Sequence, residues 1–246
     1  MQALGKLTAV EARLVLRDHA LVFFVFAFPL LLLTGFSLIP GFGEPNPGLG
    51  GQSGTEFIAS IGIAMIIGLV GFSVLPTFLA GYREKGILRR LHATPVSPAL
   101  LLVAQLAVGA GAALASVALV LSLGRAAFGV PLPARFGWFA LVVLLGTAAL
   151  LALGLVIAAL APSGRAASVI GAIVFQPSLF LAGVWVPREA LPAALRRVGD
   201  LTPLGAALQA VRDTWTGLAP RPLHLGILAA YALVAGVAAA RLFRWD

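Results

Sequence analysis

The chain has 246 residues, of which 60% are hydrophobic and 11% charged, and its mean hydropathy is +1.03. Soluble domains are roughly 45–50% apolar and about 25% charged, so the composition excludes an ordinary soluble domain, a disordered chain and a fibrous protein. The absence of cysteine excludes disulfide scaffolds and thiol catalysis, and the net charge of +8 bears on membrane orientation rather than on nucleic acid.

Residues 2–18 predict a first, amphipathic helix on the membrane surface. Its apolar stripe consists of Leu4, Leu7, Val10 and Leu14. Glu11 and Asp18 interrupt the apolar side. We interpret this helix either as a surface anchor or as a lever that connects a partner to the first membrane span.

Six apolar segments then follow, and each has the length needed to cross a bilayer core, about 20 residues. Asp, Glu, Lys and Arg are absent from all six. The first apolar run is longer than that of a signal peptide, so we expect it to be retained. The whole chain, 1–246, is predicted to be a single transmembrane domain of all-α class. Its spans are predicted at 20–39, 57–80, 98–124, 136–161, 166–186 and 223–240.

Basic residues predict the orientation of the six spans. Segments 1–19, 81–97, 162–165 and 241–246 hold Lys and Arg at about twice the density of the other connections, which places both termini in the cytoplasm. We therefore expect a multi-pass membrane protein, in contact with membrane lipids and without nucleic acid as a partner.

The cytoplasmic segment between spans 2 and 3 reads GYREKGILRRLHATPVSP. It predicts a short basic helix over 84–92, which ends before Pro95 because a residue that precedes proline avoids the helical region. An interfacial helix on anionic lipid and a docking helix for a cytoplasmic partner both fit this pattern. The candidate docking residues are Arg83, Glu84, Lys85, Gly86, Ile87, Leu88, Arg89, Arg90 and Leu91.

The outer segment 187–222 predicts two short helices with charged faces, because 36 structureless residues would be unusual in one connection. Within the spans, Pro29, Pro76 and Pro177 each remove a backbone hydrogen bond and are candidate kinks. Gln176, beside Pro177, is a candidate for polar packing or for binding a polar substrate group.

Several functional classes are disfavoured by what the printed sequence does not contain. It has no P-loop, since Lys6 and Lys85 are its only lysines and neither is followed by Ser or Thr. It has no H-E-x-x-H metal motif, and no metal site is predicted. Energy for any transport must therefore come from another subunit that contacts a cytoplasmic segment.

The order of these parts resembles the type-2 ATP-binding-cassette (ABC) transporter permeases, especially the bacterial multidrug and daunorubicin-resistance-like exporters. The resemblance covers the whole chain. It is carried by the loop YREKGILRRLHATPVSP, in which Ile87 stands where Thr is more usual, and by VFQPSLFLAGVWVPREALP and DLTPLGAALQAVRD near the last span.

The resemblance implies a permease with no catalysis of its own, paired with a second copy of itself and with two cytoplasmic ABC ATPase subunits. ATP and Mg would bind on those partners, and no cofactor is expected in this chain. Residues 84–92 would be the coupling helix and 187–215 the outer re-entrant helices. Spans 2 and 5 would line the substrate path, with Pro76 and Pro177 as candidate hinges. The candidate path residues are Phe57, Met65, Phe72, Phe175, Gln176 and Phe180.

The leading hypothesis is export of a hydrophobic or amphipathic substrate, drug or lipid-like, which would connect the chain with drug efflux and antibiotic resistance. Export of a polysaccharide, a lipid-linked glycan or haem is the near alternative. Two alternatives from other functional classes also stay open. The chain could be a membrane anchor without transport activity, or a lipid-modifying enzyme that uses the Arg-rich outer segment.

Overall fold

The computed structural model describes residues 2–87, 90 and 98–242. Within these ranges the chain is all-helical apart from one isolated bridge between Pro45 and Ser53. Six of the helices are long and apolar enough to cross a membrane. The predicted fold class and the number of spans are therefore confirmed.

The described residues form nine helices, of which α2 to α6 and α9 are the six spans. They are α1 Gln2–Arg17, α2 His19–Ser37, α3 Gly54–Glu84, α4 Pro98–Phe128, α5 Phe136–Leu160, α6 Gly164–Ala182, α7 Ala193–Leu201, α8 Pro203–Trp215 and α9 Pro222–Leu242. Six crossings place α1 and the end of α9 on one side, which we call the inner side, and α7 and α8 on the other, the outer side.

Two helix ends near functional segments differ from the predicted span ends. Span 2 is predicted to end at about 80, whereas helix α3 continues to Glu84, and a turn at Lys85 and Gly86 follows, with Gly86 at φ +67°. Glu84 is therefore the last residue of α3 rather than the first residue of the predicted coupling helix. Residues 88, 89, 91 and 92 of that helix lie outside the described residues. Span 5 ends at Ala182 rather than 186 because Gly183 adopts φ +92°, a left-handed conformation that terminates helices.

Helix α3 occupies the centre of the fold and packs against α2, α4, α5, α6 and α8. Two glycines on its neighbours make the closest approaches. A Cβ on Gly154 of α5 would lie 2.2 Å from the Gly71 oxygen, and one on Gly171 of α6 would lie 2.0 Å from the Phe72 oxygen. Small residues thus bring the helix backbones together.

Two of the spans contain a π-helical turn just before a proline, Phe23–Ala27 before Pro29 and Val70–Val74 before Pro76. A proline ring clashes with the carbonyl four residues earlier, and a wider turn relieves that contact. The carbonyl of Val25, four residues before Pro29, instead accepts a hydrogen bond of 2.5 Å from Ser116 Oγ of α4. The backbone irregularity expected at these two prolines is confirmed, whereas Pro177 lies inside the continuous helix α6.

The outer segment is helical, as predicted for 187–215, and α8 is buried almost along its whole length between the spans. Its packing partners are α3, α5, α6 and α9. Irregular or short helical backbone at such a position requires shelter by protein, and the surrounding spans provide it.

Candidate coupling site and substrate path

The inner end of α3 carries two consecutive charged side chains that bind the turn between α5 and α6. The Arg83 guanidinium donates to the carbonyl oxygens of Ala159, at 3.1 Å, and of Ala161. Both carbonyls lie at the carboxyl end of α5, where a helix leaves its last acceptors unpaired and carries partial negative charge. The cation of Arg83 matches both properties.

Glu84 binds the amino end of α6, the helix that follows α5. Its Oε2 accepts a hydrogen bond of 3.0 Å from the backbone N–H of Gly164, the first residue of α6. Ser163 caps the same helix by accepting from Ala166 N at 3.1 Å. The amino end of a helix favours negative charge, so Glu84 supplements the Ser163 cap.

We call Arg83 and Glu84 the inner clasp. The clasp holds the start of α6 against the end of α3, and a Cβ on Gly164 would lie 3.1 Å from the Thr77 oxygen. Spans 2 and 5 are therefore tied together immediately before the chain enters the segment that the sequence predicts to be the coupling helix. A displacement of that segment would reach α6 through these contacts.

Helix α1 is fastened to the inner side by a buried carboxylate. Glu11 is 5% exposed, and its Oε2 accepts from the Tyr82 hydroxyl of α3 at 2.6 Å and from Gln105 Nε2 of α4 at 2.5 Å. Burial raises the pKa of Glu11, and these two hydrogen bonds oppose the rise. The residue that interrupts the apolar stripe in sequence is thus the polar anchor of the helix.

The apolar stripe of α1 is only partly buried against the other helices. Val10 is 50% exposed and Leu14 is 42% exposed, whereas Glu11 and Val15 are buried. The face of α1 that packs on α4 is set by the Glu11 hydrogen bonds. Val10 and Leu14 are left on the surface, where an interfacial helix contacts lipid.

A lateral groove of about 340 Å³ lies between α2, α3 and α6. The α3 wall is an i, i+4 stripe of half-buried side chains, Met65, Leu69 and Ser73. The remaining walls are largely apolar, with Gln176 as a polar side chain. They consist of Phe24, Phe28, Pro29, Ala172, Phe175, Gln176, Leu179 and Trp185.

Three of the candidate path residues, Met65, Phe175 and Gln176, line this groove. Phe72 is buried behind it with its ring 6.0 Å from that of Phe175. Phe180 is 38% exposed on α6 outside the groove.

Phe57 serves a different contact on the outer side. The Arg212 guanidinium of α8 lies 4.9 Å from the centroid of its ring. Arg212 also donates to Gln52 Oε1 at 2.7 Å, to the Leu49 oxygen at 2.9 Å and to Glu189 Oε1 at 2.9 Å. This arginine joins α8 to the loop that precedes α3, so Phe57 supports the outer helices and does not line the groove.

Sequence reasoning missed the contribution of span 1 and the role of two carboxylates. Phe24 and Phe28 of α2 line the groove, whereas the substrate path was predicted to run largely along spans 2 and 5. The partners of Glu11 and Glu84 are more than 70 residues distant in sequence, and a single sequence carries no signal for them.

Comparison with known proteins gives one family and two relatives. The family model described as ABC-2 type transporter matches residues 2–215. Nodulation protein J of Rhizobium leguminosarum bv. viciae is 34% identical over 94 residues, which is 37% of this chain and 36% of that protein. Nodulation protein J of Rhizobium meliloti (strain 1021) is 34% identical over 84 residues, 33% of this chain and 32% of that protein. The matched part therefore spans about a third of the length of each relative.

Proposed function

Because the chain belongs to the ABC-2 type transporter family, we propose that it is the membrane permease subunit of an ATP-driven exporter in a bacterial inner membrane, with both termini in the cytoplasm. The observation that carries the proposal is the family match over residues 2–215, which includes α1, the inner clasp and α8. Residues 1–246 act as one transmembrane domain in this proposal.

The energy source is a separate ATPase, since permeases of this family work with such a subunit and the printed sequence holds no P-loop. We place ATP and Mg on two copies of that ATPase and the coupling contact on residues 84–92. The inner clasp supports this placement because it connects the start of that segment to α6. Among the described coupling candidates, Lys85 and Arg90 are exposed and Ile87 is half-buried.

A second copy of the chain completes the path in our proposal. Helix α6 exposes an apolar face next to the groove, with Ile173 at 66% and Val169 at 53%. Pairing through α6 and the open stripe of α3 would enclose two grooves between the copies, with Pro76 and Pro177 beside the interface as hinges.

The proposed substrate is hydrophobic or amphipathic, such as a drug or a lipid-like molecule. The groove supports this because its walls are apolar and its polar side chains include Gln176 and Ser73. A polysaccharide or lipid-linked glycan is the second candidate. The names of the two relatives refer to nodulation and give drug efflux no support.

The experiment searches the neighbouring genes for a P-loop ATPase, co-expresses it with this chain and purifies on a tag carried by this chain. We expect the ATPase to co-purify, and inverted vesicles containing both subunits to accumulate a fluorescent amphipathic probe when ATP is supplied. The matched control replaces the P-loop lysine of the partner. ATP hydrolysis by this chain alone would refute the division of labour, and co-purification without ATP-dependent uptake of a drug, lipid or glycan probe would favour an anchor.

A further inference from the structure

The outer side holds a second cavity, separate from the lateral groove, with a volume of about 420 Å³. Ligand pockets in proteins are typically about 300–1,000 Å³, so its size suits a small polar group. Its walls come from the loop before α3 and from the segment between α6 and α9. The lining residues are Leu49, Gly50, Gln52, Arg188, Glu189, Arg196, Gln209, Arg212, Asp213, Thr216, Leu218 and Arg221.

The lining is cationic, because four arginines face two carboxylates. Two of the arginines are engaged within the protein. Arg212 is paired with Glu189 at 2.9 Å, and Arg188 is paired with Asp200 at 2.5 Å. These two pairs hold the walls in place, and their guanidinium groups are already occupied.

The other two arginines form no ion pair with a residue that the structure describes. Neither Arg196 nor Arg221 has an ion pair or a side-chain hydrogen bond with any residue that the structure describes. Arg196 is half-buried and Arg221 is exposed. Each guanidinium presents a planar set of donors that suits phosphate or carboxylate oxygens.

Two further polar groups in the walls lack partners. Gln52 is 1% exposed, and its Nε2 donates to nothing within the described residues. Asp213 Oδ2 is likewise buried and unpaired in the described part of the chain. Burial raises the pKa of Asp213, while His224, the side chain and the backbone N–H of Arg221, and Arg212 oppose the rise.

We propose that this outer cavity binds an anionic group of phosphate type through Arg196 and Arg221. This inference rests on the proposed function in one respect, the orientation of the protein in the membrane. With both termini in the cytoplasm, the cavity lies on the side where an exported molecule leaves the permease. A phosphate on the exported molecule and a phosphate in a lipid headgroup share this chemistry. The alternative is that Arg196 and Arg221 are solvated surface side chains that bind no ligand, and the experiment distinguishes this alternative from an anion site.

The test measures binding of inorganic phosphate by calorimetry to the full chain in phosphatidylcholine nanodiscs, with chloride at matched ionic strength as the blank. We expect binding by the wild type and a dissociation constant about tenfold higher for Arg196→Gln and for Arg221→Gln, because each loses a charged donor. Arg197→Gln is the matched control, since Arg197 adjoins Arg196, is exposed and is absent from the cavity wall. Undetectable binding by the wild type, or equal constants for the wild type and the double variant, would overturn the proposal.

A second arm identifies the source of the phosphate. The same titration is repeated in nanodiscs that contain phosphatidylglycerol. If the wild type binds inorganic phosphate more weakly in these nanodiscs than in phosphatidylcholine nanodiscs, and the variant with both Arg196→Gln and Arg221→Gln shows no such difference, the site is assigned to a lipid headgroup. Equal binding by the wild type in both kinds of nanodisc assigns it to a phosphate on the exported molecule. The assay omits the ATPase, so loss of phosphate binding leaves the permease proposal standing, and absence of transport leaves the anion site standing.

Discussion

Removal of the Glu84 carboxylate should loosen the start of α6 while the six spans stay folded. The bond to Gly164 N is 3.0 Å long, and Glu84 is largely exposed. Loss of a helix-capping acceptor costs about 0.5–2 kcal/mol, and loss of the charge alone costs about 0.3–1 kcal/mol at such a position. Since 1.4 kcal/mol corresponds to a factor of ten, Glu84→Ala should speed exchange of the Gly164 amide roughly 2- to 30-fold.

Hydrogen exchange followed by mass spectrometry on the purified chain measures this directly, because local opening sets the exchange rate. Glu84→Gln keeps an acceptor and should fall between the wild type and Glu84→Ala. Lys85→Ala is the control, since Lys85 adjoins Glu84 and is exposed. Unchanged exchange at Gly164 in Glu84→Ala would refute the cap. Faster exchange with normal substrate-stimulated ATP turnover of the reconstituted complex would keep the cap but refute its part in coupling.

Three further changes have defined outcomes. Gly171→Ala places a Cβ 2.0 Å from a carbonyl oxygen of α3 and should lower Tm, since overpacking costs about 1–3 kcal/mol. Gly236→Ala is the control and should leave Tm unchanged, because its Cβ would meet nothing within 4 Å. Equal Tm values for the two variants would contradict the close approach of α6 to α3. Burial raises the pKa of Glu11 above its usual 4.5, so the folded state favours the protonated side chain. The stabilisation from this preference is complete below pH 4.5 and is lost as the pH rises through the pKa of Glu11 in the folded state. Thermal unfolding followed against pH should show this decline, and Glu11→Gln should abolish it; identical profiles would refute the role of burial. The chain has no native cysteine, so single cysteines can be placed as cross-linking probes. Ser73→Cys in the groove should cross-link two copies to an extent that changes with nucleotide, while Ile63→Cys, at a fully buried position, should not cross-link. Cross-links that do not change with nucleotide would support the dimer but contradict the hinge role of Pro76 and Pro177.

The six spans, the helical outer segment and the family were accessible from the sequence because each leaves a local signal. About 20 consecutive apolar residues identify a span wherever it packs. The motif after span 2 is contiguous, and the outer segment carries its own prolines and helical spacing. Span ends were less accessible, since the apolar pattern stops at Ala80 while α3 continues to Glu84 through bonds to α5 and α6.

The sequence by itself determined that this protein is a six-span helical membrane protein with an amphipathic start and a basic segment after span 2. Only the tertiary structure decided what the charged residues near the spans do. Glu84 in isolation looked like a partner contact, and Glu11 looked like a defect in an apolar stripe. The fold gives each carboxylate hydrogen-bond partners from distant helices. Glu11 is buried, and a buried carboxylate must find donors, whereas the exposed Glu84 meets the amino end of a helix, which favours negative charge. Only the packing of the helices determines which donors lie within reach.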